Sequence, residues 1–204
     1  MTDRMPQPEE TSTSRVSFDR DLSPRKRQIL EIAAQLFARN GYKGASIRDI
    51  GEQAGVLGGS LYHHIKSKDA LFVEVHNAAL DAASAKISEA IAGETDPWAR
   101  LEAACATMLE VRLEPESLAR PLVNDFRLVP DDVRRQLIAR RDAFEEPFRA
   151  LVEALPLPPE VDRSVYRNLL LSTLNHADGW YRPGRLTPAD IARQITALFH
   201  HEKR

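Results

Sequence analysis

The sequence predicts an all-α chain of about nine helices, with a compact three-helix unit ahead of a larger helical body. Three observations carry this. Apolar residues recur at i, i+3, i+4 and i+7 through most of the chain, as they do along one face of an α-helix. Serine or threonine stands before the periodic runs, often followed by proline or by an acid three residues on, as helix starts require. No strand-like alternation exceeds a few residues, and there is no internal repeat.

The elements follow in order. Residues 1–22 are rich in Pro, Ser, Thr and mixed charge, and are expected to be a disordered arm. Ser23 caps a first helix with Pro24 at its first position; Ile29, Ile32, Ala33, Leu36 and Phe37 share a face, and Gly41 closes it. Ser46 is the N-cap of a second helix, with Asp49 in the acidic slot of a capping box. Ile47, Ile50 and Ala54 lie on one face, and Gly55 permits the left-handed backbone that turns the chain. Leu61 and Ile65 anchor a third helix. Ser67 caps a fourth that runs from Lys68 towards Ala92, with Leu71, Phe72 and Val75 inward.

Pro97 opens the fifth helix, with Trp98, Leu101, Cys105 and Met108 on one stripe. A short helix or turn is expected over 115–128. A long helix restarts at Pro130, with Leu137, Phe144, Phe148, Leu151 and Leu155 facing one way and Pro147 expected to kink it. Leu155 to Pro159 reads as a linker. A helix from about Glu160 to Tyr181 carries Val161, Val165, Leu169, Leu170 and Leu174 and ends at Arg182-Pro183-Gly184. Thr187-Pro188 caps the last helix, with Ile191, Ile195, Leu198 and Phe199.

Composition narrows the class. In 204 residues, 43% are hydrophobic and 28% charged, which is ordinary for a globular chain able to bury a sizeable core. No run of about 18 apolar residues exists, so no membrane partner is expected. Residues 1–14 are polar and resemble no secretory signal, and the single cysteine, Cys105, cannot form an internal disulfide. Both favour the cytoplasm. Net charge is −2, but it is unevenly spread: residues 15–70 hold ten Lys/Arg against six Asp/Glu, while residues 71–204 hold seventeen against twenty-one. A basic N-terminal unit on an acidic remainder suits a protein whose one end meets phosphate.

On the third helix, Gly59, Ser60, Tyr62 and His63 lie opposite the apolar anchors. Small, hydroxyl and aromatic-polar groups on that face suit a helix pressed into the DNA major groove. The run from Ser46 to Leu71, especially Leu61-Tyr62-His63-His64 and Lys66-Ser67-Lys68-Asp69, resembles the DNA-binding domain of the tetracycline-repressor (TetR) family. The helix from Ile29 to Phe37, closed by Gly41, matches as well, so the resemblance covers about residues 24–72. It departs conservatively, with Ser46 for threonine, Gly51 for alanine and Ile65 for phenylalanine. Gly51 should weaken its helix slightly.

Within this frame the expected DNA contacts are Arg48, Gly58, Gly59, Ser60, Tyr62, His63 and Lys68. Arg48 and Lys68, each at a helix start, are placed for phosphate. Gly58-Gly59 reads either as a flexible turn or as room for close approach of DNA. The resemblance implies that residues 23–68 bind double-stranded, palindromic operator DNA. It implies that residues 69–204 dimerise and hold a small effector, making the protein a ligand-responsive repressor. A homodimer seam is implied for the last two helices, through Val165, Leu170, Leu174, Ile191, Ile195 and Leu198.

For the effector, Trp98, Met108, Phe126, Phe144, Phe148, Leu169 and Trp180 are the expected apolar lining. Asn124, Asn175, His176 and Arg182 are the polar candidates. Asn175 and His176 serve either a pocket or the seam. The stretch Trp180 to Thr187 is similar to one in TetR-type repressors of lipid and sterol degradation that respond to acyl-coenzyme A. An acyl-coenzyme A thioester or related hydrophobic acid is therefore the expected effector. The alternatives are a repressor responsive to cationic drugs, a small-molecule-binding helical protein with a vestigial DNA motif, and a DNA binder without ligand.

No enzyme is expected. The chain has no P-loop, GxGxxG or GxSxG. Asp131-Asp132 and Glu145-Glu146 are adjacent pairs that diverge on a helix, unlike an acid/base couple. His63 and His64 point about 100° apart and do not share a metal. Neither metal nor cofactor is expected, and Cys105 reads as core.

Overall fold

Local capping chemistry sets where the helices begin. The computed structural model describes residues 22–56, 58–113 and 128–200, and among these are nine helices and no strand. α1 (Pro24–Gly44) starts at Ser23, whose hydroxyl accepts from the Lys26 amide. Gly41 takes φ 67° and ψ 177°, a backbone that an L side chain resists, so regular helix stops there. α2 (Ile47–Ala54) is capped by the Ser46 hydroxyl, which accepts from the Asp49 amide at 3.0 Å, and is closed by Gly55 in the left-handed region. α3 (Gly58–Leu61) is a single turn, extended by hydrogen-bonded turns to Ile65.

The Ser67 hydroxyl starts α4 (Lys68–Ile91) by accepting from the Ala70 amide at 3.0 Å. Asp96 does the same for α5 (Pro97–Leu113) through the Ala99 amide. α6 (Asp131–Glu153) has two acids in its first turn, where the helix dipole favours them. It runs through Pro147 as one element; Pro147 is on the exposed side, where water can serve the carbonyl it leaves unbonded. Thr187 and Asp190 form a full capping box at α9 (Pro188–Phe199). The expected turn at 115–128 lies almost wholly outside the described residues, as does the N-terminal arm up to residue 21.

The single helix expected from Glu160 to Tyr181 is two, α7 (Arg163–Asn175) and α8 (Ala177–Trp180). The break is at His176, at φ −106° and ψ 9°. Its amide and its ring Nδ1 both bond the Ser172 carbonyl, at 3.1 and 2.8 Å, a local side-chain bond that competes with helix propagation.

Two apolar cores result. The first joins Ile29, Leu30, Ala33 and Phe37 of α1 to Ile50 of α2, Leu61, Ile65, and Leu71, Phe72 and Val75 of α4. Phe72 meets Phe37 and Tyr42 edge-to-face, with centroids 4.9 and 5.1 Å apart. Val133 and Leu137 from α6 complete it. The second core gathers Leu101, Cys105 and Leu109 of α5, Phe148 and Leu151 of α6, Leu170 and Leu174 of α7, and Ala192 and Ile195 of α9. Burial pushes the Cys105 thiol up to about 12, so it is a packed apolar group without thiolate character. Among the described residues, only α4 and α6 supply buried side chains to both cores.

Candidate nucleic-acid interface and internal cavity

The turn after α2 sets the orientation of α3. Leu61 and Ile65 are 0% and 4% exposed, while Tyr62 is 59% exposed and Gly59, Ser60 and His63 face solvent with it. A Cβ at Gly51 would stand 3.2 Å from the Val56 carbonyl, so glycine there lets the turn pack closely on α2. Gly59 differs: a Cβ built on it meets nothing within 4 Å. The fold makes no internal demand for glycine at that position.

Arg48 is 85% exposed at the start of α2 and pairs with Glu52, Nε to Oε1 2.8 Å. Such exposed pairs are weak and salt-screened, so a phosphate can compete with Glu52. Lys68 is less open. Its ammonium lies 4.4 Å above the Tyr42 ring, and partial burial pulls its pKa below the usual lysine range. The Tyr42 hydroxyl donates to Asp69; burial first, then that bond, raises its pKa.

Sequence reasoning missed a polar residue that joins elements of this unit to α4. The Lys26 ammonium donates to the His64 carbonyl at 3.0 Å and pairs with Glu74 at 2.7 Å. It therefore joins α1, the end of the reading turn and α4. Arg25 adds a bond to the Gly55 carbonyl at 3.1 Å. No periodicity marks such residues, because their partners are 30 to 48 positions away.

A small cavity of about 40 Å³ lies where the two cores meet. α4 contributes His76, Leu80 and Ala83; α5 contributes Met108, Val111 and Arg112; α6 contributes Arg141, Phe144 and Glu145; α7 contributes Asn175. Arg112 is 5% exposed and pairs with Asp178 of α8 at 3.1 Å. Burial lifts the Glu145 carboxyl above its ordinary range, against the pull of Arg141 and Arg167 and a hydrogen bond with Asn175.

Of the expected effector residues, the structure brings Met108, Phe144 and Asn175 together here. The others lie elsewhere. Phe148 is fully buried in the second core, and Trp98 packs on that core and against the His200 ring, 4.1 Å between centroids. His176 is exposed at the α7–α8 break. Asn124 and Phe126 lie outside the described residues. His76, Arg112, Arg141 and Glu145 were missed, because burial of a charged side chain is a tertiary property that no local pattern signals.

Trp180 and Arg182 instead line an open groove of about 590 Å³ between α7 and α9, with Thr173, Ile191, Gln194 and Leu198 among its walls. Along α7, Val165 and Leu169 share a stripe with Thr173, and both are 56% exposed; Leu198 is 84% exposed. The six residues expected at the seam fall into two groups, and Ile191 and Ile195 line this groove as well. Leu170, Leu174, Ile191 and Ile195 are 0, 0, 7 and 6% exposed within the single chain and serve its own core. Of the six seam candidates, Val165 and Leu198 are on the surface.

Among the described residues no group of three or more His, Cys, Asp or Glu is arranged to hold a metal, and no helix is long and apolar enough to cross a membrane.

An exposed one-turn reading helix over a three-helix core, fused to a helical body with its own core and cavity, defines a helix-turn-helix transcriptional regulator. The chain belongs to the tetR family of bacterial regulatory proteins. Residues 29–75 match that family's bacterial regulatory protein region, and residues 94–202 match the tetracyclin repressor-like C-terminal domain. It is 31% identical over 182 residues to the HTH-type transcriptional repressor KstR2 of Rhodococcus jostii, covering 86% of this chain and 89% of that one. The structure of the ketosteroid transcriptional regulator KstR2 of Mycobacterium tuberculosis superposes with a TM-score of 0.68 at 25% identity, covering 88% of this chain and 94% of that one. AibR, crystallised with isovaleryl coenzyme A and operator DNA, shares the fold with a TM-score of 0.73 at 24% identity, covering 85% and 97%.

Proposed function

We propose that this protein is a homodimeric repressor, acting in the cytoplasm, that is released from a palindromic operator by a hydrophobic acid or its acyl-coenzyme A thioester. Residues 23–68 read the DNA and residues 69–204 dimerise and hold the effector. The carrying observation is the course of α4. Its first turns, through Leu71, Phe72 and Val75, are built into the reading unit's core, and its next turns, through His76, Leu80 and Ala83, wall the cavity. A ligand that shifts the middle of α4 therefore shifts the reading unit.

The cavity's volume supports this coupling. About 40 Å³ is close to the share of a single water, whereas drug-sized ligands occupy roughly 300–1,000 Å³. An effector of that size would part the helices around the cavity and so bind the parted state preferentially; that differential would displace DNA. Arg112 and Arg141 in the cavity wall pair with Asp178 and with Asp142 and Glu145, so an acid would find a guanidinium there by taking the place of one of these carboxylates. The similarity to KstR2 supports a repressor, and the isovaleryl coenzyme A held by AibR supports the thioester class. The exposed stripe of Val165, Leu169 and Leu198 supports a two-fold seam along α7 and α9.

The test is a panel of fatty, aromatic and steroid-derived acyl thioesters, scored for raising the melting temperature and for releasing the protein from its own upstream DNA. At least one is expected to do both. If only a cationic drug or dye does so, the effector class is wrong.

Two further outcomes are expected at the DNA face. Arg48→Gln should weaken specific and random DNA alike and flatten the slope of log affinity against log salt by about one per contact per subunit. An unchanged slope removes Arg48 from the phosphate contacts. Gly59→Ala should stabilise the free protein by roughly 0.5–1 kcal/mol, since alanine is the better helix former and the space is open. The same change should weaken operator binding at least fivefold, because a methyl then stands where the backbone approaches DNA. Undiminished affinity would reduce Gly59 to a turn residue.

A further inference from the structure

Arg112 and Asp178 form an ion pair with an unusual position. Arg112 projects from α5 into the cavity wall and is almost fully buried. Its partner belongs to α8, a four-residue helix set apart from α7 by the break at His176. A buried guanidinium stripped of its carboxylate is strongly disfavoured, so the pair helps Ala177 in the second core to hold α8 against α5 unless another anion replaces Asp178. The other charged or titratable groups facing the cavity are His76 on α4 and Arg141 and Glu145 on α6. Glu145 is met by Arg141 from its own helix and by Asn175 from α7. Arg112 thus differs from Arg141 in taking its counter-ion from a short, separate element.

We infer that Arg112 is the receptor for an anionic group on the effector and that this group takes the guanidinium over from Asp178, so that filling the cavity unlatches α8. The inference rests on the effector class proposed above. Leu80, Met108 and Phe144 offer the apolar surface beside Arg112 for the effector's body. Exchange of one anion for another keeps the buried charge compensated, and a carboxylate or phosphate suits the planar fork of arginine. The freed element matters at a distance. α8 carries Trp180 and leads into Arg182, and both line the groove between α7 and α9. An anion at Arg112 is therefore felt at the surface proposed for dimerisation as well as along α4.

The experiment titrates the full-length protein, without DNA, with decanoic acid, decanoyl-coenzyme A, methyl decanoate and decylamine. The parent is expected to prefer one or both anions over the neutral ester at least tenfold. Preference for the acid places the carboxylate at Arg112, and preference for the thioester places a carrier phosphate there. Asp178→Asn keeps the shape and removes the competing charge, so it should tighten the preferred anion at least fivefold and leave the ester unchanged. Arg112→Gln should erase the distinction between anion and ester. An Asp178→Asn protein that binds the anion no tighter overturns the inference, as does an Arg112→Gln protein that keeps the preference, or a parent that prefers the amine. Asp178→Asn decides the matter by itself if Arg112→Gln fails to fold. If the acid or thioester releases operator while Asp178→Asn binds it no tighter, the anchor alone is wrong. If no anion binds either protein, the proposed effector class falls and the anchor with it.

Discussion

Replacing Leu169 and Leu198 together by glutamate is expected to give a folded monomer whose operator affinity has fallen at least a hundredfold. Both side chains are exposed in the single chain, at 56% and 84%, so the change leaves each core intact. Across a two-fold seam each new carboxylate would face buried apolar surface and its own symmetry copy, an arrangement that like charges and desolvation both oppose. Loss of the dimer removes the linkage between two half-sites, which is worth about 10²–10⁴ in avidity. Leu170→Glu makes the contrast. Leu170 is 0% exposed, and an unpaired charge there costs several kcal/mol against a total stability of about 5–15 kcal/mol. That variant should fail to fold. Light scattering, circular dichroism and DNA retardation separate the outcomes, and a double variant that remains dimeric would move the seam elsewhere.

The Tyr62→Ala and His63→Ala double variant is expected to lose most sequence-specific binding while melting within a degree or two of the parent. Both residues face solvent above Leu61 and Ile65, which do the packing. Each lost polar contact to phosphate or base edge should weaken the operator complex roughly tenfold to a hundredfold. Lys26 fixes the height of this face by holding the His64 carbonyl and Glu74 at once. If the double variant retards operator DNA as the parent does, the reading face lies elsewhere on the unit.

The helix starts were legible because capping is local: Ser23, Ser46, Ser67 and Thr187 each accept from an amide three residues on. The exposed face of the third helix was legible for a related reason, since Leu61 and Ile65 fix which side of a short helix is buried. The seam candidates show what periodicity leaves open. Leu170 and Leu174, or Ile191 and Ile195, are i, i+4 pairs, and the strongest apolar stripe on a helix marks the core of its own chain. Val165 and Leu198, also read as seam residues, and Leu169 are the ones on the surface. Trp180 and Arg182 were themselves read as effector contacts, but the break at His176 directs them into the outer groove. The buried charges of the cavity were invisible, because Arg112 and Asp178 lie 66 positions apart and meet only once α5 and α8 are packed.

The central claim is that the cavity and the DNA face share one helix and therefore one equilibrium. Coupling of that kind is reciprocal: the factor by which effector weakens operator binding must equal the factor by which operator weakens effector binding. Decanoyl-coenzyme A, or the most effective thioester of the panel, is titrated into the free protein and into the protein saturated with operator. The expected result is at least tenfold weaker binding to the DNA-bound form, matching the loss of operator affinity measured in the reverse titration. Equal affinity for the two forms would contradict the account, because a ligand indifferent to the operator-bound state cannot release it.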